Sequence, residues 1–157
     1  MGMFTAFNIS ASGLSAQRYR MDIISENIAN ANTTRTEDGT PYVRKVVTFE
    51  EKGGASSFGR VLSDHLTHQQ RDSLSAHAGG RGVKVSRVSD DTWTPHTLVY
   101  DPSHPDADEN GYVTGPNVNI IAEMTDLIDA SRAYEANNTA FTAAKSMAVQ
   151  GLQVGRS

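Results

Sequence analysis

The sequence predicts an α+β chain in which two long terminal helices pair as a coiled-coil-like inner domain and a small β-rich domain lies between them. Three observations predict it. Proline-free stretches at both ends repeat apolar residues every seven positions. The interior carries short β-branched and aromatic runs punctuated by glycine and proline. Val, Leu, Ile and Phe make up only 31 of the 157 residues, near the level at which a chain fails to bury a sufficient core. Thin apolar stripes, rather than one thick core, must therefore hold the molecule together, and a compact enzyme is not the default.

From Met3 to about Asn32 the chain places Phe7, Leu14, Met21 and Ile28 on one helical stripe. Ile24 and Ala31 extend the adjoining position, but Ser10 and Gln17 occupy it earlier, so the seam is partly polar. Gly13 and the small residues Ala6, Ser10, Ala11, Ser12, Ser15 and Ala16 narrow the first half and admit a neighbouring backbone. The other end repeats the scheme with Ile120, Leu127, Tyr134, Phe141 and Ala148, and with Met124 and Leu152 on the adjoining position. A helix of roughly 30 residues spans about 45 Å and needs a long partner, for which the first helix is the candidate. Ser131, Asn138 and Lys145 interrupt the second seam, so a single helix pair should fray in water and gain order from further neighbours. Large aromatics at Tyr134 and Phe141 suit burial within the chain and anchoring between chains equally well.

Between the helices, Tyr42–Glu50 reads as a strand opened by Gly39-Thr40-Pro41. Val83, Val85 and Val88 form a second, and Thr97–Tyr100 a third that Asp101-Pro102 ends. Trp93, beside Pro95, is expected to be buried there. The stretch 53–82, with a weak stripe of Phe58, Leu62, Leu66 and Leu74, has no assigned fold. Either Asn117 or Asn119 caps the final helix, with Glu123 and Asp126 favouring its N-terminal end. The expected boundaries are 1–34 for the N-terminal helix, 35–116 for the β-rich middle with its uncertain loop near 56–80, and 117–157 for the C-terminal helix.

Composition excludes several function classes. Without cysteine there is no disulfide, thiol nucleophile or Cys-ligated zinc. A net charge of −4 with dispersed basic residues leaves no footprint for a nucleic-acid backbone. No stretch is apolar enough for a membrane span, and the first thirty residues lack the pattern of a cleaved signal peptide.

Candidate chemistry is sparse. Asp106, Asp108, Asn110 and Gly111 match the start of a calcium loop, but position 12 is Asn117 rather than a bidentate glutamate, and Pro102 and Pro105 oppose the preceding helix. The same residues make a turn, with Asp and Asn side chains bonding nearby amides and Gly111 taking positive φ. A periplasmic calcium-dependent binding module stands as the rival function. His65, His68 and His77, with Asp64 and Asp72 nearby, lack confirming ligand spacing, and His96 and His104 are equally isolated. No serine sits in a nucleophile elbow, and the glycines at 79, 80 and 82 are followed by neither a phosphate-loop lysine nor a dinucleotide fingerprint. No catalytic residue, metal ligand or cofactor is assigned.

Two blocks carry more than periodicity. ISASGLSAQRYRMDIISENIANANTTRTEDGTPYVRK resembles the amino-terminal region of bacterial flagellar rod and hook axial proteins, and VYDPSHPDADENGYVTGPNVNIIAEMTDLIDASRAYEANNTAFTAAKSM resembles their carboxy-terminal half. The TTRTEDGTPYVRK junction and the DP-HPDA, GYV and PNVN features are similar to the proximal-rod branch. Another rod subunit at a different axial level is the nearest alternative. The resemblance implies a non-enzymatic structural subunit, polymerised helically around an export channel with the paired helices innermost, that transmits motor torque toward the hook. It implies passage through the flagellar type III apparatus without signal cleavage and placement in the basal body, crossing the periplasm. Its partners would be copies of itself, other rod proteins, and export-gate, ring-side adaptor or ring components. The assembly interface expected on this basis is Phe7, Leu14, Met21 and Ile28 together with Ile120, Leu127, Tyr134 and Phe141.

Overall fold

The computed structural model describes residues 3–52 and 81–155. The fold is α+β, as expected: α1 (Met3–Ala29), β1 (Lys45–Glu51), β2 (Val83–Asp90), β3 (Leu98–Tyr100), β4 (Tyr112–Thr114) and α2 (Ile120–Val154). The Phe58–Leu74 stripe, His65, His68 and His77, and the glycines at 79 and 80 lie outside the described residues. No helix among the described residues is long and apolar enough to cross a membrane.

The chain divides into two compact units, one of Met1–Ala16, Phe49–Lys84 and Tyr134–Ser157, the other of Gln17–Thr48 and Val85–Ala133. In the first unit Phe7 meets Phe141 edge to face at 5.1 Å, and Gly13 lies against Asn137. Numbers rising on α1 as they fall on α2 make the pairing antiparallel. A Cβ on Gly13 would come within 2.6 Å of Asn137 Oδ1, so any larger residue there makes the Asn137 side chain shift. The small residues also admit a strand: Val83 N donates to Ser12 Oγ at 3.0 Å, and a Cβ on Gly82 would collide with that hydroxyl. Among the described residues of this unit the buried ones are all small, namely Ser10, Ser12, Gly13, Ala16 and Ala144. Its core is correspondingly thin.

In the second unit Arg20 bonds Asp126 at 3.0 Å and Asn27 bonds Glu123 at 3.0 Å, again an antiparallel pairing. Its core joins apolar Ile24, Tyr42, Val113 and Ala130 to buried polar Asn27, Asn117 and Glu123.

The seam of α2 differs from the sequence reading at one of its two positions. Leu127, Tyr134, Phe141 and Ala148 are half-buried as a set, but their buried companions are Glu123, Ala130 and Ala144, with Asn137 half-buried, one residue earlier than the expected series. Met124 and Leu152, expected on the seam, are largely exposed. Hydrophobicity pointed to the wrong neighbour because the position in register is held by a carboxylate and two alanines.

β1 pairs with β2 and β3 with β4 in two-stranded antiparallel sheets. β1 starts at Lys45 rather than Tyr42, because Tyr42 is tied to α1 and its connector: its N donates to Thr33 O and its hydroxyl to Asn27 Oδ1 at 2.9 Å. β4 is a fourth strand beyond the three that the sequence predicts. It has three residues, and its register sets Val99 opposite Val113 and Tyr100 opposite Tyr112, whose rings meet edge to face at 5.2 Å. The intervening turn follows the Asx chemistry expected, with Asp101 Oδ1 accepting from Ser103 N and Oγ, Asp108 Oδ1 accepting from Asn110 N and Tyr112 N, and Gly111 at φ 79°. Asn119 is the cap of α2, its Oδ1 accepting from Ile121 N at 3.0 Å and Ala122 N at 3.3 Å. Asn117 is employed elsewhere.

Candidate functional site

The residues that organise the second unit are polar. Glu123, in the first turn of α2, is completely buried, a position that a carboxylate occupies only when paired and hydrogen-bonded. Arg44 Nε donates to its Oε1 at 2.6 Å and Asn27 Nδ2 to its Oε2 at 3.0 Å. The guanidinium also reaches Asp126 at 3.4 Å and Asp91 at 3.6 Å. Burial works against the Arg44 charge, but the hydrogen bond to Glu123 and the fields of Glu123, Asp126 and Asp91 outweigh it and hold the guanidinium above its ordinary pKa.

Asn27 spends its whole side chain here. Its amide donates also to Lys45 O at 2.9 Å, and its Oδ1 accepts from Lys45 N and the Tyr42 hydroxyl, both at 2.9 Å. Burial, reinforced by Glu26, Asp90 and Glu123, pushes the Tyr42 phenol from 10.0 up to about 12. Asn117 Oδ1 accepts from Arg44 N at 2.7 Å, and its amide donates to Asp91 O at 2.7 Å and Thr94 O at 3.2 Å. One network thus ties α1, the segment entering β1, the turn after β2 and the start of α2. Its members Asn27, Tyr42, Asn117 and Glu123 are buried. It is a lock that fixes two helices in register and leaves their outer faces available.

Part of the outer face of α2 is apolar. Ile121 is 78% exposed, Met124 54% and Ile128 53%, and their spacing of three and four puts them on one side of α2, with Ile120 at its edge. Beside this ridge is a groove of about 660 Å³ lined by Val99, Val113, Pro116, Val118, Ile120 and Ile121, with Asp101 and Asn119 among its polar members. In the first unit, Met147 and Leu152 are also exposed.

Of the expected interface residues, Phe7, Leu14, Met21, Ile28, Leu127, Tyr134 and Phe141 are half-buried and Ile120 is exposed. Phe7 and Phe141 touch each other. Trp93, expected to be buried, is 94% exposed; its turn is held by polar bonds that need no indole packing. Asn27, Arg44 and Glu123 were missed as organising residues; the only sequence signal was an amide at Asn27 and a carboxylate at Glu123 inside otherwise apolar helical registers, and Arg44, just before β1, carried none.

The calcium reading loses its motivation. Asp106 Oδ2 accepts from Thr34 Oγ1 at 2.9 Å and its other oxygen lies 3.6 Å from Arg35, while Asp108 serves the turn amides. Among the described residues no three His, Asp or Glu side chains gather as a metal-ligand set.

Comparison with known proteins gives a consistent picture. Residues 7–35 match the family model described as flagella basal body rod protein, and residues 109–154 match that of the flagellar basal body rod FlgEFG protein C-terminal region. The chain is 44% identical to the flagellar basal-body rod protein FlgC of Bacillus subtilis, over 99% of this chain and 100% of that one. It is 43% identical to the protein of the same name from Borreliella burgdorferi, over 94% and 93%, and 36% identical to that of Salmonella typhimurium, over 99% and 100%.

Proposed function

The chain belongs to the FlgC family of flagellar basal-body rod proteins, and from that premise we propose how this structural subunit of the proximal rod assembles. It polymerises helically around the export channel, with α1 and α2 innermost and the β-rich segment 35–116 outside them, and carries torque toward the hook by distributed packing. Its neighbours are further copies and other rod proteins, and its place is the part of the basal body that crosses the periplasm, reached by type III export without signal cleavage. It performs no chemistry of its own.

The observation that carries the assembly reading is the ridge of Ile121, Met124 and Ile128, three large apolar side chains more than half exposed beside an apolar groove. A lone subunit in water gains nothing from this surface, whereas a neighbour that covers it adds roughly 25 cal/mol per Å² of apolar area removed from water. A heterologous contact of this kind continues from subunit to subunit, where a two-fold contact would stop growth. The half-buried stripe from Phe7 to Ile28 and from Leu127 to Phe141 takes part on its open side, with exposed Ile120 at its end. The thin core of the first unit is completed by the same neighbours.

The test is the triple variant Ile121→Asp, Met124→Asp and Ile128→Asp. These side chains do little for the isolated fold, so helical circular dichroism should match that of the parent while incorporation into purified basal bodies and motility are lost. Normal incorporation at normal subunit levels would overturn the assembly surface proposed here.

A further inference from the structure

We propose that Trp93, the chain's single tryptophan, is a preformed docking knob that enters the groove of about 660 Å³ on a second copy of this chain. The inference rests on the rod-subunit reading and adds to it a specific knob and hole. A tryptophan at 94% exposure is unusual unless something covers it, since its large apolar area dominates the interfaces in which it occurs. Here the turn that presents it is already ordered. The Asp91 carboxylate accepts from Trp93 N at 3.1 Å, Thr94 N at 3.2 Å and Thr94 Oγ1 at 2.8 Å, and buried Asn117 grips the Asp91 and Thr94 carbonyls from the other side. The ordering cost that usually erodes a loop contact has been met in the free subunit.

The complementary surface is on the same chain. The groove's volume falls in the range of roughly 300–1,000 Å³ that encloses small organic groups. Its walls include Val99, Val113, Pro116 and Ile121, which suit an indole ring, and Asp101 and Asn119 are among its polar members. Trp93 is not among its lining residues, so knob and hole are separate surfaces. Separate complementary surfaces on one chain make the heterologous, continuing contact that a polymer of identical subunits requires, which selects a second copy as the occupant.

The chain has no cysteine, so engineered thiols are unique. Separately tagged Trp93→Cys and Val99→Cys chains, co-expressed in flagellated cells lacking the native copy, are treated in purified basal bodies with a bismaleimide about as long as the indole it replaces. The expected result is a covalent pair of the two tagged chains, well above that given by Glu109→Cys with Val99→Cys. Trp93→Ala should lower incorporation at limiting expression by roughly thirtyfold, the loss of a central aromatic anchor, with circular dichroism unchanged. Cross-linking no better than the control, or a Trp93→Cys adduct to a different protein, would overturn the knob while leaving the rod reading intact. Failure of the tagged parent chain to enter basal bodies would overturn both.

Discussion

Replacing Arg44 by methionine tests the polar lock most severely. In the parent, Glu123 receives the guanidinium at 2.6 Å and the Asn27 amide at 3.0 Å, and its side chain is fully buried. Arg44→Met leaves that buried carboxylate with one neutral donor. Removing one partner of a buried pair costs about 3–5 kcal/mol. The Arg44 side chain is 25% exposed, so some water enters its place and the lower end, about 3 kcal/mol, is expected. That is a large part of the roughly 5–15 kcal/mol that holds a whole domain. In urea, with a slope of about 1–3 kcal/mol/M, the midpoint should fall by about 1–3 M. Far-UV circular dichroism is the proper probe, because exposed Trp93 reports little on unfolding. Adding Glu123→Gln to Arg44→Met should recover at least half of the loss, since the stranded charge disappears. A midpoint for Arg44→Met equivalent to less than about 0.5 kcal/mol, or a double variant whose losses simply add, would refute the lock.

Other expectations follow from the same contacts. The raised Tyr42 pKa means that from about pH 10 to about 12 the unfolded chain sheds this proton while the folded chain keeps it, so stability is complete below that window and falls as pH rises through it. A spectroscopic titration should show one tyrosine ionising near pH 12, and Tyr42→Phe should delete that step. Gly13→Ala gains about 1 kcal/mol in helix propensity but drives a Cβ into Asn137; thermal melts should therefore show no gain in the parent and a gain only in an Asn137→Ala background. Asn119→Ala removes the two cap bonds at the start of α2 and should cost about 1 kcal/mol, with early exchange of the Ile121 and Ala122 amides.

How much of this was legible in the sequence depended on whether hydrophobicity marked the position. Phe7 and Phe141 announced their stripes by recurrence at seven, and the pairing of the two helices followed, while its antiparallel sense comes from the contacts themselves. The three strands were visible as β-branched runs, but Tyr42 looked like strand because its own residue type suits a strand, and only its bonds to Thr33 and Asn27 show otherwise. β4 was hidden by its length, with Val113 its single buried residue. The seam position held by Glu123 was illegible for a physical reason: a carboxylate reads as solvated until its partners are known, and Arg44 and Asn27 come from 79 and 96 residues away. Trp93 shows the opposite error, an apolar residue assigned to a core that its turn, braced by Asp91 and Asn117, does not need.

Hydrogen exchange along α2, compared between the free subunit and purified rods, tests most directly whether neighbours complete this fold. The amides of residues 145–155, where the described side chains other than half-buried Ala148 are exposed, should exchange rapidly in the free chain and become strongly protected in the rod, while those around Glu123 are protected in both. Equal protection of residues 145–155 in the free chain and in the rod would contradict it.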